Sequence, residues 1–226
     1  MQGPLVDFRV SRDAGQTWRE ARANATSDPS DPGRDNLFGE TAFNNNKVKY
    51  GAPHFVDFGQ ALEHSPDGKA YIVGHGASRP EAIQTWMLGD EVYLARVDPT
   101  PEAIADGKQW EFWTGAGWAR GDVGAARPLI TWENHTGVTT MTYHPALRKY
   151  IMVVSTAGNY PSMHDKFDTY FLESDAITGP WKYITYLAAF GPQAYFVHFP
   201  SKFLAADVGP DATYGGFLPV EVLRNT

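Results

Sequence analysis

Residues 11–18 read SRDAGQTW, a stretch that fits Ser-x-Asp-x-Gly-x-Thr-Trp at every specified position. Each of those positions has a physical reason. Asp13 accepts backbone N–H bonds and Gly15 tolerates φ > 0, which together shape a tight β-turn. Trp18 opens the next strand and folds back under the turn as an apolar plug. Ahead of the turn, Val6, Phe8 and Val10 alternate with Asp7 and Arg9, the pattern of a half-buried strand. The stretch predicts a β-hairpin and assigns Asp13 and Trp18 to architecture rather than to chemistry.

The rest of the chain agrees with an all-β fold. Its 226 residues, 42% hydrophobic and 14% aromatic, suit a single domain over 1–226 with a substantial core. The 22 glycines and 16 prolines are scattered, as many short strands joined by tight turns require. After the hairpin, residues 24–46 are polar and too long for a hairpin turn, so they read as an excursion loop. Four strand-like runs follow: Ala52–Phe58, Ala70–His75, Glu91–Val97 and Trp110–Thr114. The first two are joined through SPDG, with Pro66, Asp67 and Gly68 at turn positions. A second four are Pro128–Trp132, Val138–His144, Lys149–Thr156 and Thr169–Ser174, and the tail adds Ala194–Phe199, Phe203–Ala206 and Gly216–Leu223. The one helical candidate is PEAIADG, Pro101 to Gly107, of one or two turns.

SRDAGQTW resembles the Asp-box, the turn motif of sialidases and many other secreted β-propellers. SDAITGPW (174–181) and VDPTPEAIADGKQW (97–110) look like degenerate echoes of it. The resemblance implies a β-propeller of four-stranded antiparallel blades, about four of them visible. Closed propellers carry roughly four to eight blades. The chain therefore reads as a small closed propeller, a piece of a longer one, or one completed by a partner chain. The resemblance also implies an extracellular or periplasmic setting, although MQGPLVDFRV shows no signal peptide.

Composition narrows the partners. A net charge of −7 without a Lys/Arg-rich run disfavours nucleic acid, and no apolar run approaches a membrane span. With no cysteine there is no disulfide, thiolate metal site or thiol nucleophile. No cofactor is expected. A structural metal held by His and carboxylates is compatible with the composition, but no spacing announces one.

Four segments concentrate chemistry-bearing side chains. KYGAPHFVDFG carries His54, and YIVGHGAS carries His75 between Gly74 and Gly76. ITWENHTG gathers Trp132, Glu133, Asn134 and His135, and TMTYHPALRKY carries Tyr143, His144 and Arg148. A lone histidine on a strand is more often structural than catalytic. Tyr143 and His144 alternate, so at most one of them faces any given site, and Tyr143 is preferred. His64, His164 and His198 read as ordinary surface or packing histidines. The tryptophans at 110, 113 and 118 read as packing residues rather than sugar platforms.

GAPHF and GHG, with histidines 21 residues apart, resemble the seven-bladed propeller polysaccharide lyases. These include ulvan lyases, rhamnose–glucuronate lyases and related propeller rhamnosidases. The likeness spans roughly residues 45–205 and lacks the N-terminal blades. It implies catalytic roles for His54, His75 and Tyr143 and substrate binding by Arg148; the ITWENHTG segment by itself offers His135, Asn134 and Trp132 as further substrate contacts. The chemistry would be β-elimination on a uronate-containing polysaccharide. An Arg or His⁺ neutralises the carboxylate, while His and Tyr serve as base at C5 and acid at O4.

Two alternatives stand beside it. A sialidase-like or arabinanase-like hydrolase needs two carboxyl groups across the scissile bond, and Asp57, Glu63, Asp98 and Glu133 are available in no recognisable motif. Arg79, Arg96, Arg127 and Arg148 do not announce an arginine triad. The third class is a non-catalytic glycan-binding or degenerate propeller. It is preferred if the rings of His54 and His75 bond only to backbone.

Overall fold

A computed structural model describes residues 8–20, 36–40, 47–157, 166–191 and 194–204. The expected strand Gly216–Leu223, the end of Phe203–Ala206, His164 and most of the 24–46 loop lie outside them. The described chain is built of short antiparallel strands with one single-turn helix. The strands are β1 (Arg9–Val10), β2 (Arg19–Glu20), β3 (Gly51–Phe55), β4 (Ala70–Gly76), β5 (Gly89–Val97), β6 (Glu111–Trp113), β7 (Trp118–Arg120), β8 (Ile130–Thr136), β9 (Val138–His144), β10 (Lys149–Thr156), β11 (Asp168–Ser174) and β12 (Lys182–Leu187). The helix α1 (Pro101–Ile104) has Pro101 in its first turn and Thr100 as its cap, whose hydroxyl accepts from the Ala103 N–H at 3.2 Å.

The opening hairpin forms as its sequence predicts. Asp13 Oδ1 accepts from the Thr17 N–H and the Ser11 hydroxyl, each at 2.8 Å, and Oδ2 accepts from the Thr17 hydroxyl at 2.6 Å. Gly15 adopts φ 87°. The hydrogen bond from the Thr17 hydroxyl is the largest influence holding the Asp13 carboxyl down at about 2. Trp18 does fold back, donating its indole N–H to the Gly15 carbonyl at 3.1 Å, yet it stays 61% exposed. The β1–β2 sheet has no third strand among the described residues to cover it.

Two larger sheets carry the core. One runs β3-β4-β5-β6-β7, and β8 also joins it by pairing with β5. The long β5 takes β8 along Gly89–Val92 and β6 along Ala95–Arg96. The other sheet is a regular four-stranded meander, β9-β10-β11-β12. Both faces of β4 and β5 are buried, which is why they read as near-continuous apolar runs. Tyr71, Val73, Val92 and Leu94 face the second sheet and meet Met141, Met152, Val154 and Leu172 in a shared layer. Ile72, Tyr93 and Ala95 point the other way, toward Tyr50, Trp110 and Phe112.

The second set of strands differs from the sequence reading. Pro128–Trp132 was expected to begin it, but β8 belongs to the first sheet and the meander is completed instead by β12. Gly137 makes the transfer between sheets. A Cβ there would lie 2.2 Å from the Ser155 carbonyl oxygen and 2.6 Å from that of Met87, so only glycine lets the chain pass so close. Ala194–Phe199 is extended but joins no sheet. It lies along β9, where Thr140 and Thr142 hydroxyls donate to the carbonyls of Val197 (2.7 Å) and Phe199 (2.9 Å). Among the described residues the sheets do not close into a ring.

Candidate functional site

Three segments meet along the free edge of β9. The chain leaving β3 runs parallel to it, with Asp57 opposite Thr142. The Asp57 N–H donates to the Met141 carbonyl and the Tyr143 N–H donates to the Asp57 carbonyl, both at 2.9 Å. The 194–204 segment lies along the same strand through the two threonines. This edge is the candidate site because it brings His54, Asp57, Phe196 and His198 together.

His54 is half-buried, and its Nδ1–H donates to the Thr139 carbonyl at 3.1 Å. A carbonyl can only accept, so the bond selects the Nδ1–H tautomer and leaves Nε2 as the basic nitrogen. Burial holds the His54 pKa below its ordinary value. The Phe196 ring, 50% exposed, lies 4.8 Å from the imidazole. One step along, His198 Nε2 is 3.6 Å from Asp57 Oδ2. Burial lowers the His198 pKa against the pull of Asp57, and its Nδ1 is buried without a partner. Asp57 accepts from the Gly59 N–H at 3.0 Å and the Ser201 N–H at 2.8 Å. Burial pushes its carboxyl up, but the Ser201 and Gly59 bonds and the nearby His198 outweigh this and leave it lowered.

The side chains of the remaining expected residues lie elsewhere. His75 is on the strand beside β3, as anticipated, with Gly51 opposite His75 and Val73 opposite His54. It is fully buried, however, and its Nε2–H donates to the Thr85 carbonyl at 2.8 Å. Burial drives its pKa down to about 4. Both imidazoles therefore bond backbone, and only His54 reaches the edge. Tyr143 sits four residues farther along β9 than Thr139, about 13 Å away at strand rise. There its ring packs 5.1 Å from those of His64 and Tyr150. Arg148 is an exposed turn residue between β9 and β10 with φ 51°.

Trp132, Asn134 and His135 form a separate group on β8, three strands from β3 and so about 14 Å away across the sheet. Asn134 takes φ 55°, held by its N–H on Asp90 Oδ1 at 2.9 Å. That local turn stacks His135 on Trp132, 5.0 Å apart and 8° from parallel, while Tyr170 covers Trp132 at 4.5 Å.

Sequence alone reads His198 as an ordinary surface or packing histidine and passes over Phe196. Their signal was the alternation in YFVHFP (195–200), where Phe196 and His198 share a face opposite Tyr195, Val197 and Phe199. Asp57 enters the sequence reading only as a hydrolase carboxylate. Among the described residues no three His, Asp or Glu side chains cluster as metal ligands. Comparison with models of known protein families gives no match, and comparison with curated proteins gives none either.

Proposed function

We propose that the protein is a β-propeller, or part of one, that binds a glycan along the inner edge formed by β3, β9 and residues 194–200. The propeller reading draws support from two antiparallel sheets stacked through one apolar layer and from the parallel bridge between Asp57, just after β3, and Thr142 of β9. The binding reading is carried by the exposed Phe196 ring set 4.8 Å from the His54 imidazole. An aromatic face and a ring nitrogen side by side suit a sugar, which offers C–H faces to the one and hydroxyls to the other. Binding ranks above turnover because His75 is sealed in the core, the Tyr143 ring packs on His64 and Tyr150, and Arg148 lies in the turn after β9.

Uronate β-elimination is the second reading, favoured by one observation. The Nδ1 bond to Thr139 leaves His54 Nε2 as a neutral base, the form that proton abstraction requires.

A panel of neutral and uronate-rich polysaccharides tests both, with retention in affinity gels measured alongside ultraviolet absorbance of unsaturated ends and reducing-end release. The expected result is retention without new ends, weakened at least tenfold by Phe196→Ala. Retention unchanged in that variant would refute the assigned surface. Unsaturated product that His54→Ala abolishes would establish the lyase.

A further inference from the structure

The opposite end of the same three segments holds a cavity of about 460 Å³, lined by Gln60, Glu63, His64, Pro145, Ser201 and Lys202 among others. Its volume is in the range of small-molecule sites. The turn that forms it is held in an unusual conformation, with Gly59, Ala61 and Leu62 at φ 86°, 53° and 62°. Three contacts enforce that conformation. His64 donates its N–H to the Phe58 carbonyl at 3.0 Å, Asp57 ties Gly59 to Ser201, and Leu62 packs against the core. Non-glycine residues at positive φ persist only where their surroundings over-determine them.

The turn places one carboxylate with care. Glu63 Oε1 accepts the Gln60 N–H at 3.3 Å and lies 2.5 Å from where a Cβ on Gly59 would stand. Glycine is favoured there by its φ of 86°, and the space beside it is filled by the Glu63 carboxylate. Glu63 is 3.9 Å from His64 Nε2, and the Tyr143 ring backs that imidazole. Lys202 also lines the cavity, and its ammonium rests 4.8 Å from the Phe203 ring centroid. The ionised groups thus balance, and amide, imidazole and hydroxyl groups surround them. With one carboxylate and one ammonium the lining has no net charge, so neither an anion nor a cation gains a net Coulomb attraction there, and a neutral polyol needs none. A vicinal diol donates to both oxygens of a carboxylate, while ammonium and amide groups donate to sugar oxygens.

We infer that this cavity binds a neutral mono- or disaccharide, with Glu63 accepting from adjacent hydroxyls and Gln60 and Lys202 donating. The site is separate from the inner-edge surface around Phe196, and soluble small sugars probe it without any polysaccharide, so the two proposals fail independently.

The experiment is saturation-transfer NMR on the full chain with glucose, galactose, mannose and maltose, against glucuronate and glucosamine as charged comparators. The His64 ring C–H shifts are followed in the same titrations. Saturation transfer to at least one neutral sugar, a His64 shift that saturates with it, and at least tenfold weaker binding by Glu63→Gln are expected. Charged comparators should bind at least tenfold more weakly than that neutral sugar. If Glu63→Gln does not fold, Lys202→Met, at an exposed position, carries the same expectation. Absence of binding by every neutral sugar, equal binding of a charged one, or unchanged affinity in the variants would overturn the assignment.

Discussion

His198 Nε2 stands 3.6 Å from Asp57 Oδ2, although 141 residues separate the two along the chain. Asp57 also takes the Ser201 and Gly59 N–H groups, so one carboxylate joins the chain leaving β3 to the 194–204 segment. Asp57→Ala orphans both N–H donors and should cost about 1–3 kcal/mol. Asp57→Asn, which keeps an acceptor oxygen, should cost less. Urea denaturation of the three proteins measures the order, and equal stability of Asp57→Ala and the wild type would show that the carboxylate ties nothing.

Buried neutral histidine makes the fold acid-sensitive. The folded pKa of His75 is about 4 against an ordinary 6.5, so between those values the unfolded chain binds the proton that the folded chain refuses. Its contribution is complete above about pH 6.5 and is lost as pH falls toward about 4, a loss of roughly 3 kcal/mol. His54 and His198 are shifted in the same direction and add to the trend. Denaturation midpoints across pH 4–7 should fall on acidification, and His75→Gln should flatten the profile. A pH-independent wild type contradicts the buried neutral ring.

Gly137 carries the chain from one sheet to the other with carbonyl oxygens 2.2 and 2.6 Å from the missing Cβ. Both obstacles are backbone, which cannot swing aside as a flexible side chain would. Gly137→Ala should therefore destabilise by about 3 kcal/mol or more. A thermal melt within a degree of wild type would show that the two sheets approach less closely.

The SRDAGQTW turn is predicted to act on its hairpin alone. Asp13→Ala removes three hydrogen bonds to Ser11 and Thr17 and should abolish hydrogen-exchange protection at the Thr17 N–H. Polysaccharide retention should stay at the wild-type level, because Phe196 and His54 belong to other segments. Lost retention in a folded Asp13→Ala protein would tie the turn to binding.

Local signals in the sequence were enough for the hairpins. Asp13, Gly15 and Thr17 make a turn from contacts within five residues, and Thr100–Pro101 starts a helix from its own cap. Alternation and apolar runs likewise announced β4, β5, β9, β10 and β11, because burial on one or both faces writes directly into residue type. The sequence also determined that His54 and His75 sit on adjacent antiparallel strands. Tertiary structure alone decided which of them reaches solvent. Tyr71 and Val73 face a layer from strands some 70 residues later, while the His75 ring is fully buried and held on the Thr85 carbonyl. The tertiary fold also moved β8 into the first sheet, a choice that rests on Gly137 fitting against Ser155 and Met87. It brought His198 to Asp57 in the same way, since 194–204 docks on β9 through threonine hydroxyls and distant carbonyls. Contacts of that kind leave no periodic trace, because each depends on where a remote backbone oxygen comes to rest.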